Sequence, residues 1–218
     1  MIIKMAGLVR LVVSALFFSA FLAAAVCVDA REETGSVSEV KSTLENLLTA
    51  YNNESNAQAR YVVFAKKAQE EGFGQVASLF RAAAKAEQIH CKNYVKAIQE
   101  FGGTAIAKIR APIVRTTMQN LETAIKDELY ESEVLYPEFA AQAQNESAKL
   151  ASIFFGAAKE TEAGHAKFYK DALNDMNGWR GQSKEFFVCP VCGYLCDVIS
   201  GPACPVCEAD TKTFVKIK

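Results

Sequence analysis

Apolar positions in the first half of the chain recur at steps of three and four. Val40, Leu44, Leu47, Tyr51, Ala57 and Tyr61 mark one face, with Glu54 among them, and predict a helix over 37–69. "EEGFG" at 70–74 breaks it with two glycines. A second helix is expected over 75–101, stopped by Gly102 and Gly103. Residues 104–116 contain Pro112 and have no clear period, which suits a long crossover. Helices over 117–144 and 146–176 follow, then a glycine-bearing linker at 177–183. From 184 the chain turns to Cys, Pro and Gly. Two helix pairs joined by a crossover predict an all-α four-helix bundle over 37–176, followed by a small separate domain over 184–218.

The N-terminus follows another pattern. Lys4 and Arg10 precede an almost unbroken apolar run over 11–28, and "VDA" ends in a small residue before Arg31. This is the layout of a secretory signal over 1–30, with cleavage expected and export to the periplasm or beyond. The run is also long enough to serve as an uncleaved membrane anchor. A lipoprotein fits less well, because Val26 precedes Cys27 where a small residue is expected. No twin arginine is present, so export in an unfolded state is expected, with metal loaded afterwards.

The chain has only two histidines, and each lies three residues after a glutamate. "AEQIHCKNY" holds Glu87 and His90; "TEAGHAKFY" holds Glu162 and His165. Residues i and i+3 share a helical face, and both pairs continue apolar stripes. Glu54 on the first helix, and Glu128 and Glu131 on the third, fall on inward faces too. The interval from Glu54 to Glu128 nearly matches that from Glu87 to Glu162, as in a duplicated helix pair. A lone Glu-x-x-His is ordinarily surface charge. Here five carboxylates and both imidazoles aim at one interior, where unpaired charge costs several kcal/mol per group. An oxygen-rich set with two imidazoles suits two iron or manganese ions, and this is the ferritin-like di-metal arrangement.

In the tail, Cys189, Cys192, Cys204 and Cys207 form two C-x-x-C pairs, a strong four-thiolate signal. Iron is favoured by the redox-capable cluster upstream; a zinc ribbon and a disulfide pair are the alternatives. Cys91 is expected to face away from the metals, about 100° around the helix from His90. Cys196 lies off the C-x-x-C frame. A net charge of -1 gives no footprint for nucleic acid, and no glycine-rich phosphate loop is present.

"NNESNAQARY", "AEQIH", "KDELYESEVLYPEFA", "TEAGH" and "CPVCGY…CPVC", in this order, resemble the rubrerythrin family over about residues 40–218. The resemblance implies a di-iron centre, Fe-O-Fe when oxidised, in the bundle. It also implies one mononuclear Fe(Cys)4 in a rubredoxin-like tail that returns electrons to it. The implied activity is reduction of hydrogen peroxide to water in oxidative stress protection; a ferroxidase or iron-handling role is the alternative. By position, Glu87 and Glu162 resemble bridging ligands and Glu54 a terminal ligand on one iron. Glu128 and His165 resemble terminal ligands on the other. Glu131 and His90 resemble a pair that exchange on the first iron with its oxidation state. Tyr61 and Tyr136 resemble tyrosines that hydrogen-bond ligand carboxylates; core packing is the other reading of each. The resemblance further implies an electron-donor protein, and at least a homodimer in which one subunit's tail approaches the other's di-iron site. Two features depart from the family: the signal-like N-terminus, and a tail spacer one residue shorter than expected.

Overall fold

In the computed structural model, residues 41–218 are described; the signal-like segment lies outside them. Helix α1 (Thr43–Glu70) starts at a capping box in which Ser42 accepts from the Glu45 backbone and Glu45 returns to the Ser42 N–H. Gly72, at φ +81°, turns the chain into α2 (Gly74–Glu100). The extended crossover then leads to α3 (Thr117–Tyr130), again entered by a capping box, Thr116 with Gln119. A π-helical segment (Glu131–Leu135) and α4 (Tyr136–Asn145) continue α3, and α5 (Lys149–Asn174) closes the bundle. The fold is thus the expected ferritin-like bundle, with its third helix in three parts. None of the described helices is long and apolar enough to cross a membrane.

The π segment departs from the continuous helix expected over 117–144, and Pro137 supplies a reason. Proline has no N–H and clashes with the carbonyl four residues back. Just before it, the Tyr136 N–H reaches five residues back, to the Glu131 carbonyl. The wide turn also redirects the chain. In a regular helix Tyr136 would lie about 80° around from Glu128. The wide turn takes up this offset, so Glu128, Glu131 and Tyr136 are all buried.

Two apolar clusters fill the bundle. One gathers Tyr61, Phe64, Phe80 and Tyr169; the other gathers Leu47, Tyr94, Tyr136 and Phe155. On every long helix the acidic and histidine positions fall between the two.

The tail forms a three-stranded antiparallel sheet in the order β2-β1-β3, with β1 Phe186–Val188, β2 Leu195–Cys196 and β3 Val215–Ile217. It packs on the bundle through Phe186, Val188 and Leu195, which join the first cluster. Residues 177–183, expected as a linker, dock against the start of α2. Gly181 N–H donates to the Gly72 carbonyl at 3.2 Å, and Arg180 lies 4.1 Å from the Phe73 ring centroid. A Cβ at Gly74 would collide with the Gly181 carbonyl oxygen. Gly74→Ala is therefore expected to cost about 1–3 kcal/mol, as overpacking does, with helical content unchanged. Urea unfolding followed by circular dichroism measures this; unchanged stability would mean that the docking is not tight.

Candidate metal centres

The four bundle helices bring two overlapping ligand sets together. Glu54, Glu87, His90 and Glu162 form one; Glu87, Glu128, Glu162 and His165 form the other, each set within 4.8 Å. His90 Nδ1 lies 2.9 Å from Glu87 Oε2, 3.0 Å from Glu162 Oε1 and 3.8 Å from Glu54 Oε1. His165 Nδ1 lies 2.8 Å from Glu162 Oε2, 3.5 Å from Glu87 Oε1 and 3.7 Å from Glu128 Oε1. Glu87 and Glu162 belong to both sets, so each has one oxygen for either side. Glu131 is buried but belongs to neither set; His90 takes part in the first. Tyr61 Oη donates to Glu128 Oε1 at 2.6 Å, and Tyr136 Oη donates to Glu54. The two terminal carboxylates are thus each oriented by one phenol.

The electrostatics fit cations. Burial and then neighbouring carboxylates push Glu54 and Glu131 well above the ordinary range, and Glu128 to about 8. Burial opposes ionisation of Glu162 as well, but His90 and His165 beside it hold it at about 2. Burial alone would lower both histidines; Glu162 and the other carboxylates raise them. Glu54 Oε2, Glu87 Oε1, Glu128 Oε2 and His165 Nε2 have no hydrogen-bond partner, and the Glu162 oxygens approach the imidazoles closely without hydrogen-bond alignment. Buried polar atoms are normally satisfied, and two metal ions would satisfy these. The set is a carboxylate–histidine di-iron site.

In the tail, Cys189 Sγ is 3.5 Å from Cys207 Sγ, and Cys192 Sγ is 3.6 Å from Cys204 Sγ. These separations exceed a disulfide bond, so the disulfide alternative does not describe the structure. Two similar turns present the sulfurs. Gly193 N–H donates to the Cys189 carbonyl and Glu208 N–H to the Cys204 carbonyl, with φ of +83° and +62° at the two donors. The Cys192 thiol and nearby backbone N–H groups pull Cys189 down to about 5, a thiolate ready for metal. Four converging sulfurs fit an Fe(Cys)4 centre.

The two centres meet. His90 Nε2 lies 2.9 Å from the Cys192 backbone carbonyl and 3.1 Å from Thr161 Oγ1. Asn93 Nδ2 donates to the Val191 carbonyl at 2.8 Å, and Arg81 Nε to the Lys218 carbonyl at 2.7 Å. A Cβ at Gly193 would strike His90 Nε2. The family resemblance implies a tail that reaches a partner's di-iron site. Here the chain's own tail sits on its own bundle, because the docked 177–183 segment runs from the end of α5 to the start of α2.

Other positions missed in the sequence are Thr161 and Asn93. Tyr94 and Tyr169 follow the histidines by four residues, a repeat visible in the two quoted stretches, and pack on Tyr136 and Tyr61. Cys91 is half-buried with its sulfur 3.5 Å from Ser55 Oγ, away from both ligand sets. Cys196 lies in β2, opposite Phe187 and outside the four-sulfur cluster.

A pH dependence follows for metal-free protein. Glu54, Glu128, Glu131 and both histidines hold protons more tightly folded than unfolded. Their contribution is fully present below their ordinary pKa values and is lost as pH rises through the raised ones. Glu162 acts oppositely, but only as pH falls from 4.5 towards about 2. Urea-unfolding stability of the metal-free chain should therefore decline from about pH 5 to about pH 8, and iron loading should flatten the decline. A level metal-free profile would contradict it.

Residues 45–173 match the family model described as Rubrerythrin. Nigerythrin of Nitratidesulfovibrio vulgaris is 37% identical over 180 residues, covering 82% of this chain and 88% of the relative. Rubrerythrin of Porphyromonas gingivalis is 31% identical, covering 81% and 90%. The solved structure of fully reduced, all-ferrous nigerythrin superposes with a TM-score of 0.76 at 35% identity, covering 84% of this chain and 91% of that one. A bacterioferritin from Desulfovibrio desulfuricans, at 20% identity and TM-score 0.58, shares the bundle fold. Fold, ligand sets and relatives agree: the chain belongs to the rubrerythrin family, a family of di-iron oxidoreductases.

Proposed function

We propose that this protein reduces hydrogen peroxide to water, drawing electrons through the tail. The contact that carries this reading is the His90 ring, which touches the Glu87 and Glu162 carboxylates through Nδ1 and the Cys192 carbonyl through Nε2. One imidazole thus joins the two centres. An iron-storage role gives no reason for such a contact.

Two ferrous ions held by Glu54, Glu87, His90, Glu128, Glu162 and His165 would supply the two electrons that peroxide needs, and the Fe(Cys)4 centre would restore them. The chain's own contribution is placement and exclusion of water. Tyr61 and Tyr136 fix Glu128 and Glu54, leaving one oxygen of each free. Glu131, raised by burial and by Glu54, holds a proton beside the ligand sets, and it is the candidate to exchange with His90. Thr161 and the Cys192 carbonyl orient His90 from behind. Electrons enter from a donor protein near Cys207, the one cysteine of the four that is not fully buried. The family resemblance supports a homodimer, and the 1–30 segment supports export.

Hydrogen peroxide added to the fully reduced protein should oxidise both iron centres; a persistent ferrous spectrum would refute the activity. Gly193→Ala, which pushes the tail off His90, should slow oxidation of the Fe(Cys)4 centre by roughly tenfold or more in stopped-flow measurements, while its own absorption spectrum stays intact. An unchanged rate would rule out the His90 contact as the route.

A further inference from the structure

A cavity of about 470 Å³ opens between α1, the crossover and α3. It is lined by Asn53, Asn56, Arg60, Ile113, Asp127 and Glu131, among others. Glu131 alone of these belongs to the carboxylate and histidine cluster. It is also the least sealed of that cluster, at 9% exposure, whereas the others lie between 0% and 3%. The cavity therefore meets the metal site at its most open edge. Asn53 flanks Glu54 on α1 and Asp127 flanks Glu128 on α3, so the cavity opens beside both terminal carboxylates.

The walls are built. Asn52 Oδ1 accepts from the Lys108 N–H, and Asn56 accepts from the Arg110 N–H and donates to the Lys108 carbonyl. These bonds pin the crossover to α1 like an added strand. Arg60 pairs through Nη2 with Asp127 at 3.0 Å, and its Nε is buried without an acceptor. The chamber thus has polar walls on α1 and α3 and an apolar outer wall at Ala111, Pro112 and Ile113. Its volume falls in the range of about 300–1,000 Å³ typical of small organic ligands, far more than hydrogen peroxide needs.

We propose that this cavity is the substrate entrance and that it admits organic hydroperoxides, ROOH, as well as hydrogen peroxide. The inference rests on the peroxide-reducing reading above and extends its substrate class. The oxygen–oxygen bond breaks with two electrons taken from the reduced metal site and two protons from solvent, and the products are the alcohol ROH and water. The alkyl arm lies along the crossover wall while the peroxide group reaches the Glu131 edge.

Ile113→Trp tests this, because Ile113 is 72% exposed and its replacement leaves the core untouched. Reduced wild-type protein should be oxidised by both cumene hydroperoxide and hydrogen peroxide. In the variant the ratio of the cumene hydroperoxide rate to the hydrogen peroxide rate should fall about tenfold or more. A second readout needs no turnover: saturation-transfer NMR of 2-phenyl-2-propanol, the product alcohol, with metal-free protein. Binding is expected in wild type and loss of binding in Ile113→Trp. Oxidation by hydrogen peroxide but not by cumene hydroperoxide would overturn the organic substrate while leaving peroxide reduction standing. No alcohol binding, or equal binding in both proteins, would overturn the cavity assignment. Failure of both peroxides alongside normal alcohol binding would instead sink the peroxide-reducing reading and leave the organic ligand site in place.

Discussion

Everything in this fold answers to one constraint: seven ionisable side chains are buried in one layer across a helical bundle. Bringing a carboxylate out of water costs several kcal/mol unless charge of opposite sign meets it. Two imidazoles cannot balance five glutamates, and the surplus appears as the raised pKa values of Glu54, Glu128 and Glu131. Cations at the unpartnered oxygens relieve that surplus. The layer also divides the core, so each half must be sealed separately. Large aromatic side chains do this: Tyr61, Phe80 and Tyr169 on one side, Tyr94, Tyr136 and Phe155 on the other.

What could be read in the sequence was what local geometry determines. Glu87 with His90 and Glu162 with His165 share faces by helical spacing alone, and the structure brings both pairs together. The C-x-x-C pairs are likewise local turns, and their four sulfurs converge. Glu131 falls on the inward face by the same rule and is buried, at the start of the wide π turn. That turn reflects Pro137 and the packing of Tyr136, which apolar periodicity does not report. The contacts of His90 with Cys192, and of residues 177–183 with α2, join positions far apart in the chain. Gly74 and Gly193 are their only sequence trace, and a glycine reads as a turn before it reads as a close approach.

The bundle repeats a helix pair, yet its two halves are not equivalent. His165 is fully buried, its Nε2 has no protein partner, and its neighbour Glu128 is held by Tyr61. His90 is its counterpart, but its Nε2 is engaged by the tail. Glu131 has no counterpart in the first half, where Ala57 stands at the matching interval. These departures from the repeat fall in one place. Glu54 is the carboxylate that most strongly raises Glu131, and Glu54 shares its ligand set with His90.

The concentration of these features on one side has a mechanical consequence. A site that must both bind a small oxidant and receive electrons needs one edge that can rearrange and another that keeps the metals in register. Among the described residues, Glu128 and His165 make no hydrogen bond to the tail, and Tyr61 holds Glu128, so this side can serve as the fixed edge. The Glu54 and His90 side has a carboxylate left over and a histidine held from behind by a backbone carbonyl. Duplication would have produced two matching edges. One added glutamate, admitted by a widened helical turn, and one docked tail are enough to make the edges different.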